Sequence, residues 1–482
     1  MSVLVIDVGT SSVRAAIVNE LGQITTQRQE MFLPDSPFPG LVEFDALALG
    51  ELVVRLSADA VAASGNTPPS AVGIANQRAS TVVWHRGSGT PVAPAIGWQD
   101  LRTVGECLVF QTEGLRFAPN QSATKLAAIL NQVDPDRSQD LCFGTVDSWL
   151  IYYLTNGEVH VTDRSNASVS GLIGLDGTDW DEALLNRLSI PAAIMPTMVD
   201  SYGAVGVAHK LVGAPTITGF AGDQQASMVG QGCVEPGQAK ATFGTGAMLN
   251  VVLGENRPPF ETQGPGGTFP IITLGENQAP RWGLEAIMLA AGSNVEWLRD
   301  DLGVLATADE SHQLASSVES TEGVVYVPAL LGLGTPHWDY GARGAMFGLT
   351  RGTTAAHITR AVLEGIAYRG WELLEAIETD AHVSLDTLRI DGGMSSNPTF
   401  VQALANATGR QIEVSPAPEG TTVGAAYLAA LGAGTYSGLS ELQALWKPKM
   451  VVEPTDRLDV EQWKVAVSRS GQWHQDLSAL AF

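Results

Sequence analysis

The strongest constraint in this sequence is a hairpin pattern that is written twice, half a chain apart. Residues 3–6, Val-Leu-Val-Ile, make the continuous aliphatic run expected of a strand buried on both faces. Asp7-Val8-Gly9-Thr10-Ser11-Ser12 reads as the turn that follows, and residues 13–18 as a return strand. The pattern then begins again: residues 239–243 as a strand, Gly244-Thr245-Gly246 as a turn, and residues 248–253 as a return strand. Two domains of related topology facing one another would write this echo. So would two unrelated strand–Gly–strand hairpins. A chain of 482 residues, 45% hydrophobic and only 16% charged, has ample apolar material for two interiors. The expected domains are residues 1–235 and 236–482.

Further elements fall between and after the hairpins. Residues 71–75 read as a strand ending at Asn76-Gln77-Arg78. Residues 215–220 read as another, ending at Ala221-Gly222-Asp223 ahead of a helical pattern through Val229. A long helical stretch over 354–378, a strand at 388–390 and a helix over 398–408 belong to the second half. The 52 glycines and 25 prolines are spread along the chain, as expected for short elements joined by tight turns.

Charge narrows the range of partners. The net charge of −24 excludes a nucleic-acid binder driven by phosphate neutralisation, because the field of the whole molecule repels a polyanion. An anionic nucleotide held by backbone N–H groups and Mg²⁺ stays possible. The three cysteines lie far apart and in no C-x-x-C arrangement, so neither a disulfide framework nor a thiolate zinc site follows. The eight histidines show no metal-ligand spacing. No apolar run reaches 18 residues, and Asp7 interrupts the segment where a signal peptide keeps its apolar core. The expectation is a soluble, cytoplasmic protein with no membrane partner. A homodimer is the ordinary prior.

Several strand ends carry chemistry. In the first turn Gly9 permits close backbone approach and a positive φ, Thr10, Ser11 and Ser12 add hydroxyl donors, and Arg14 brings a planar cationic fork. Asp7 stands where one carboxylate can hold Mg²⁺. The alternative is an ordinary hairpin whose Asp and Ser satisfy the turn backbone. Thr245 sits in the matching turn of the second half, and Asp391-Gly392-Gly393 opens a third Gly-rich turn before a helix. Asp223 follows a strand and opens a helix. It is either a general base or merely the N-cap of that helix.

Together these segments resemble a known family. Gly-Ala-Met-Phe-Gly-Leu at 344–349, then seven residues, then His-Ile-Thr-Arg-Ala-Val-Leu-Glu at 357–364, is similar to the signature of the FGGY carbohydrate kinases. Residues 6–14, 76–84, 98–103, 222–231, 334–351 and 391–397 resemble the glycerol kinase branch of that family. The resemblance implies an α/β fold of two actin-like ATPase (ribonuclease H-like) domains, with mixed sheets flanked by helices and a central cleft. It implies ATP and Mg²⁺ as cofactors and a small polyol or sugar as substrate. Residue by residue, it implies that Thr10, Ser11, Ser12, Arg14 and Thr245 contact the phosphates. Gly292, Glu296, Gly393 and Asn397 fall by the adenosine portion. Asp7 and Asp223 stand near the metal, and Asp223 is the base. Arg78, Trp98 and Gln224 line the acceptor pocket.

Two positions depart from the glycerol kinase pattern. Ala79 stands where that branch has a glutamate after the pocket arginine, and Asn120 where it has a tyrosine. Losing a carboxylate acceptor and an aromatic wall weakens the hold on glycerol and enlarges the pocket. A hydroxyl without a partner costs about 1–3 kcal/mol. The expectation is therefore an acceptor other than glycerol, with a true glycerol kinase as the alternative. An actin-like nucleotide switch with a protein partner is a more distant reading, because a switch has no need of an acceptor pocket.

Overall fold

A computed structural model describes residues 2–417 and 419–480. Its frame is two mixed sheets built on one plan. In the first, the strands run in the order Tyr202–Val207, Thr216–Gly222, Ala71–Asn76, Ser2–Val8, Ser12–Asn19 and Ile24–Met31. The hairpin Ser2–Val8/Ser12–Asn19 is antiparallel, and Ala71–Asn76 joins its first strand in parallel. In the second sheet Ala239–Phe243 and Ala247–Gly254 form the corresponding antiparallel hairpin, and Thr387–Asp391 joins its first strand in parallel. Ala279–Met288 and Phe269–Glu276 extend the hairpin side, while Gln411–Val414 and Met450–Val452 extend the other. The repeated hairpin therefore reports a repeated sheet.

The buried runs explain why these strands are central. Val3, Leu4, Val5, Ile6 and Val8 are all buried, and every residue of Ala71–Asn76 is buried. That is the pattern of strands covered on both faces. On one face Ile6, Val13 and Ile74 pack with the helix Ala46–Ala63 and with Trp84 and Trp149. On the other, Val3, Val5 and Ala16 share a core with Val423, Ala425, Ala426 and Leu428 of the helix Gly420–Gly432. That helix belongs to the second half of the sequence yet covers the first sheet.

Its fit is close enough to require glycine beneath it. A Cβ at Gly73 would stand 2.4 Å from the Ala425 carbonyl oxygen, and one at Gly219 would stand 2.3 Å from the Ala429 nitrogen. The same helix crosses Asp223–Gly230 so tightly that a Cβ at Gly424 would meet the Ala226 carbonyl oxygen at 1.7 Å. Asp223 is thereby anchored at the junction of the two halves. The helix Val460–Ser470 packs on the second half, with Trp463 stacked on Tyr368 at 4.9 Å.

Candidate active site

A cavity of about 240 Å³ opens between the halves. Asp7, Ser12 and Arg14 of the first hairpin, Asp223 and Gln224 of the crossing helix, and Thr242, Asp391 and Glu419 of the second half line it. Asp7 and Arg14 face each other because they are partners in the antiparallel register of the hairpin. Arg14 Nη1 lies 3.2 Å from Asp7 Oδ2 and also donates to Glu419 and to Thr422 Oγ1. Thr422 donates to Asp7 Oδ2 at 2.9 Å. Burial raises the Asp7 carboxyl to about 6, although Arg14 pulls the other way. Four carboxylates and one guanidinium line this cavity, a poor balance for a polyphosphate that arrives without a cation.

The turn itself corrects one expectation. Gly9 does not take a positive φ, and its N–H is given to the Ser12 carbonyl at 3.0 Å to close the hairpin. A Cβ there would make only an ordinary contact of 3.5 Å. Thr10 Oγ1 accepts from Trp98 Nε1 at 3.1 Å, so the expected clamp hydroxyl and the expected pocket indole are in direct contact. Ser11 is exposed, and Ser12 Oγ accepts from Gln29.

Asp223 is the first residue of Asp223–Gly230, and the capping position belongs to Gly222. The N-cap alternative is therefore not what the fold uses. Its Oδ1 accepts from the Gln224 N–H at 2.7 Å and lies 3.4 Å from Arg78 Nε. Burial raises its pKa, while Arg78 pulls it down. Arg78 leaves the first sheet beyond Asn76 and crosses to Glu285 Oε2 at 3.0 Å, leaving Nη1 buried with no partner. Such a donor is costly unless a ligand oxygen completes it.

The remaining predicted positions divide. Ala79 is buried with φ +61°, and its carbonyl accepts from Ser122 Oγ. Asn120 is exposed two residues before that serine. Gly292 donates its N–H to the Gly244 carbonyl at 2.8 Å, and a Cβ on it would stand 2.6 Å from that oxygen. Gly392 adjoins Phe243 just as closely, so Gly292, Gly393 and the turn with Thr245 gather at one place. Thr245 and Gly393 are exposed there and do not line the cavity. Asn397 instead caps Pro398–Thr408 and donates to Ser311, and Glu296 points outward from Ser293–Asp300.

Four residues that sequence reasoning missed complete the site: Lys240, Glu285, Glu419 and Thr422. Lys240 and Glu285 each stand as a charged residue on an inner strand and are buried, at 0% and 5% exposure. Neither burial was legible, because Lys240 reads as an ordinary strand lysine and Glu285 shares its strand with a second charge, Arg281. Among the described residues no group of three or more His, Cys, Asp or Glu is arranged to hold a metal by itself. The donors present still suit Mg²⁺, which needs only one or two carboxylates beside phosphate and water. Asp391 Oδ1 is buried without a partner, and Asp7 is held in a setting that disfavours its charge.

Comparison with known proteins agrees with the two-part fold. Residues 2–230 match the model of the N-terminal domain of the FGGY family of carbohydrate kinases, and residues 239–433 that of the C-terminal domain. A protein named glycerol kinase from Aromatoleum aromaticum is 40% identical, over 98% of this chain and 99% of its own length. Glycerol kinase 2 of Thermotoga maritima is 39% identical over the same shares. Among solved structures, Plasmodium falciparum glycerol kinase with ADP superposes with a TM-score of 0.91 at 29% identity, covering 97% of this chain and 98% of that one. A xylulose kinase from Lactobacillus acidophilus shares the fold, with a TM-score of 0.84 at 18% identity over 98% and 97%.

Proposed function

The chain belongs to the FGGY family of carbohydrate kinases, ATP-dependent phosphotransferases with an alcohol group as acceptor, and we propose that its acceptor is a small polyol, glycerol first among the candidates. The names carried by relatives near 40% identity favour glycerol. They reverse the order of the two readings drawn from Ala79 and Asn120. The observation that carries the proposal is the placement of Asp223 between the unpartnered Arg78 Nη1 and the cavity that holds Ser12 and Arg14.

In this reading residues 1–235 carry the acceptor pocket and the first phosphate clamp, and residues 236–482 the nucleotide-binding elements. The acceptor oxygen attacks the γ-phosphorus of ATP as its proton passes to Asp223. One P–O bond forms, the bond to ADP breaks, and positioning supplies most of the catalysis. Asp223 Oδ1 already accepts from Gln224, so Oδ2 is the oxygen left for the proton. Thr10, Ser11, Ser12, Arg14 and Thr245 hold phosphate oxygens, and Gly292 and Gly393 lie along the nucleoside. Glu296 and Asn397 stand beyond them, at the edge of the nucleotide. Arg78 donates to an acceptor oxygen, with Trp98 as one wall. Asp7 would hold Mg²⁺ with Asp223 beside it, and the ion would supply neutralisation of the phosphate charge.

A second reading, a longer polyol or sugar, rests on the small side chain of Ala79 at a buried position. ADP release measured against glycerol, longer polyols, ketoses and aldoses separates the two. Glycerol should be turned over at least as well as any other member. A longer acceptor used tenfold better than glycerol would establish the second reading. No acceptor-dependent ADP from any compound would overturn the proposal.

A further inference from the structure

Lys240 lies in Ala239–Phe243 with 0% of its surface exposed. Its Nζ donates to Gln224 Oε1 at 2.7 Å and to Thr242 Oγ1 at 2.9 Å. Burial lowers the pKa of its ammonium, while the carboxylates of Asp391, Glu285 and Asp223 pull the other way. A buried ammonium is expensive unless it is paired and hydrogen-bonded, so a site that keeps one invests in its exact partners. An ammonium has donors and no acceptor. The Gln224 atom that faces it is therefore the carbonyl oxygen, and the amide nitrogen is turned away. That nitrogen has no partner among the described residues, and Gln224 lines the cavity beside Asp223.

We propose that Lys240 is a positioning residue that fixes the direction of the Gln224 amide, making Gln224 a hydrogen-bond donor to an acceptor oxygen. The proposal rests on reading Asp223 and Gln224 as the acceptor side of a kinase site. Asp223 offers a proton acceptor and Gln224 a hydrogen-bond donor, so the two neighbours make complementary contacts with the acceptor. Without Lys240 the amide is free to turn over and present a second acceptor where a donor is needed. Because Lys240 stands on the second sheet and Gln224 on the crossing helix, the direction is set only when the halves are together.

Steady-state kinetics tests this with the acceptor that wild type turns over. Lys240→Met should raise the acceptor KM about tenfold while the KM for ATP changes less than twofold. Lys240→Gln, whose amide can still donate, should hold the acceptor KM within about threefold of wild type. In a Gln224→Ala background Lys240→Met should add nothing further. Equal rises in both KM values, or additive effects of the two substitutions, would overturn the proposal. A readout free of turnover accompanies these. Gln224→Glu sets a carboxylate against Lys240 and should raise Tm, and the gain should vanish when Lys240 is Met, or Gln if the Met variant does not fold. The same Tm change with and without Lys240 would also overturn the proposal. If wild type uses no acceptor, the kinase reading falls and the Tm comparison alone still decides the role of Lys240.

Discussion

Arg78 and Glu285 are joined across the cleft: Nη2 of the arginine lies 3.0 Å from Oε2 of the glutamate, with 12% and 7% of their side chains exposed. One residue follows the central parallel strand of the first sheet, and the other lies within the second. Glu285 also accepts from Asn250 at 2.9 Å, which fixes the carboxylate. Burial alone would lower the arginine pKa, but Glu285 and Asp223 outweigh it and raise it. A guanidinium of the first half is therefore aimed by a carboxylate from the second.

Removing that aim should cost more than one hydrogen bond. Glu285→Ala leaves a buried guanidinium with only Asp223 nearby, and breaking a buried pair costs about 3–5 kcal/mol. Chemical denaturation should show a loss of that size. Glu285→Gln keeps the shape and should raise the acceptor KM at least tenfold while ATP affinity holds within twofold. An acceptor KM that does not move would remove Arg78 from the pocket.

The frame of the fold was legible because burial on both faces leaves an unbroken aliphatic signature, as at residues 3–6 and 71–75. Strands of mixed polarity were not. Ile24–Met31 is an edge strand with its outer residues in water, so its sequence lacks that signature. The helix Gly420–Gly432 is nearly all small and apolar, and nothing local says that it crosses to the first sheet. The site divided the same way. Asp7, Arg14, Arg78 and Asp223 sit at strand ends, where turn residues draw attention. Glu419 meets Arg14 across 405 positions, and Lys240 looks like any strand lysine until its burial is known.

Asp223→Asn should leave ATP binding within twofold and reduce kcat by at least 10²-fold, because the amide keeps the shape and cannot take the proton. Isothermal titration with ATP and a steady-state assay check the two halves separately. More than a tenth of wild-type kcat in the variant would move the base elsewhere.

Asp7 gives a pH signature in the metal-free protein. Its carboxyl is raised from 3.8 to about 6 in the fold, so the folded chain binds that proton more tightly than the unfolded one. Its contribution to stability is whole below pH 3.8 and is lost as pH rises toward 6. Asp7→Asn removes the penalty, worth up to about 3 kcal/mol at pH 7 and nothing near pH 3.5. Urea melts at the two pH values in the presence of a chelator should show that difference, alongside loss of turnover. Equal effects at both pH values would mean that Asp7 is not held as a strained carboxylate.

Residues 79 and 120 are where the proposed choice of acceptor can be tested. Ala79 is 5% exposed and already at φ +61°, so its Cβ bears most of the strain that any larger side chain would meet there. Ser122, two residues after Asn120, donates to the Ala79 carbonyl at 3.0 Å, so the two segments are tied together. Ala79→Glu combined with Asn120→Tyr should restore a carboxylate acceptor and an aromatic side. Each regained hydrogen bond is worth about 0.5–1.5 kcal/mol, so kcat/KM for glycerol should rise roughly 5-fold to 100-fold. Any longer acceptor that wild type uses should lose efficiency, because the ring fills the space it needs. If the double variant gains nothing on glycerol, Ala79 and Asn120 are not the specificity wall, and glycerol is held by Arg78, Asp223 and Gln224 alone.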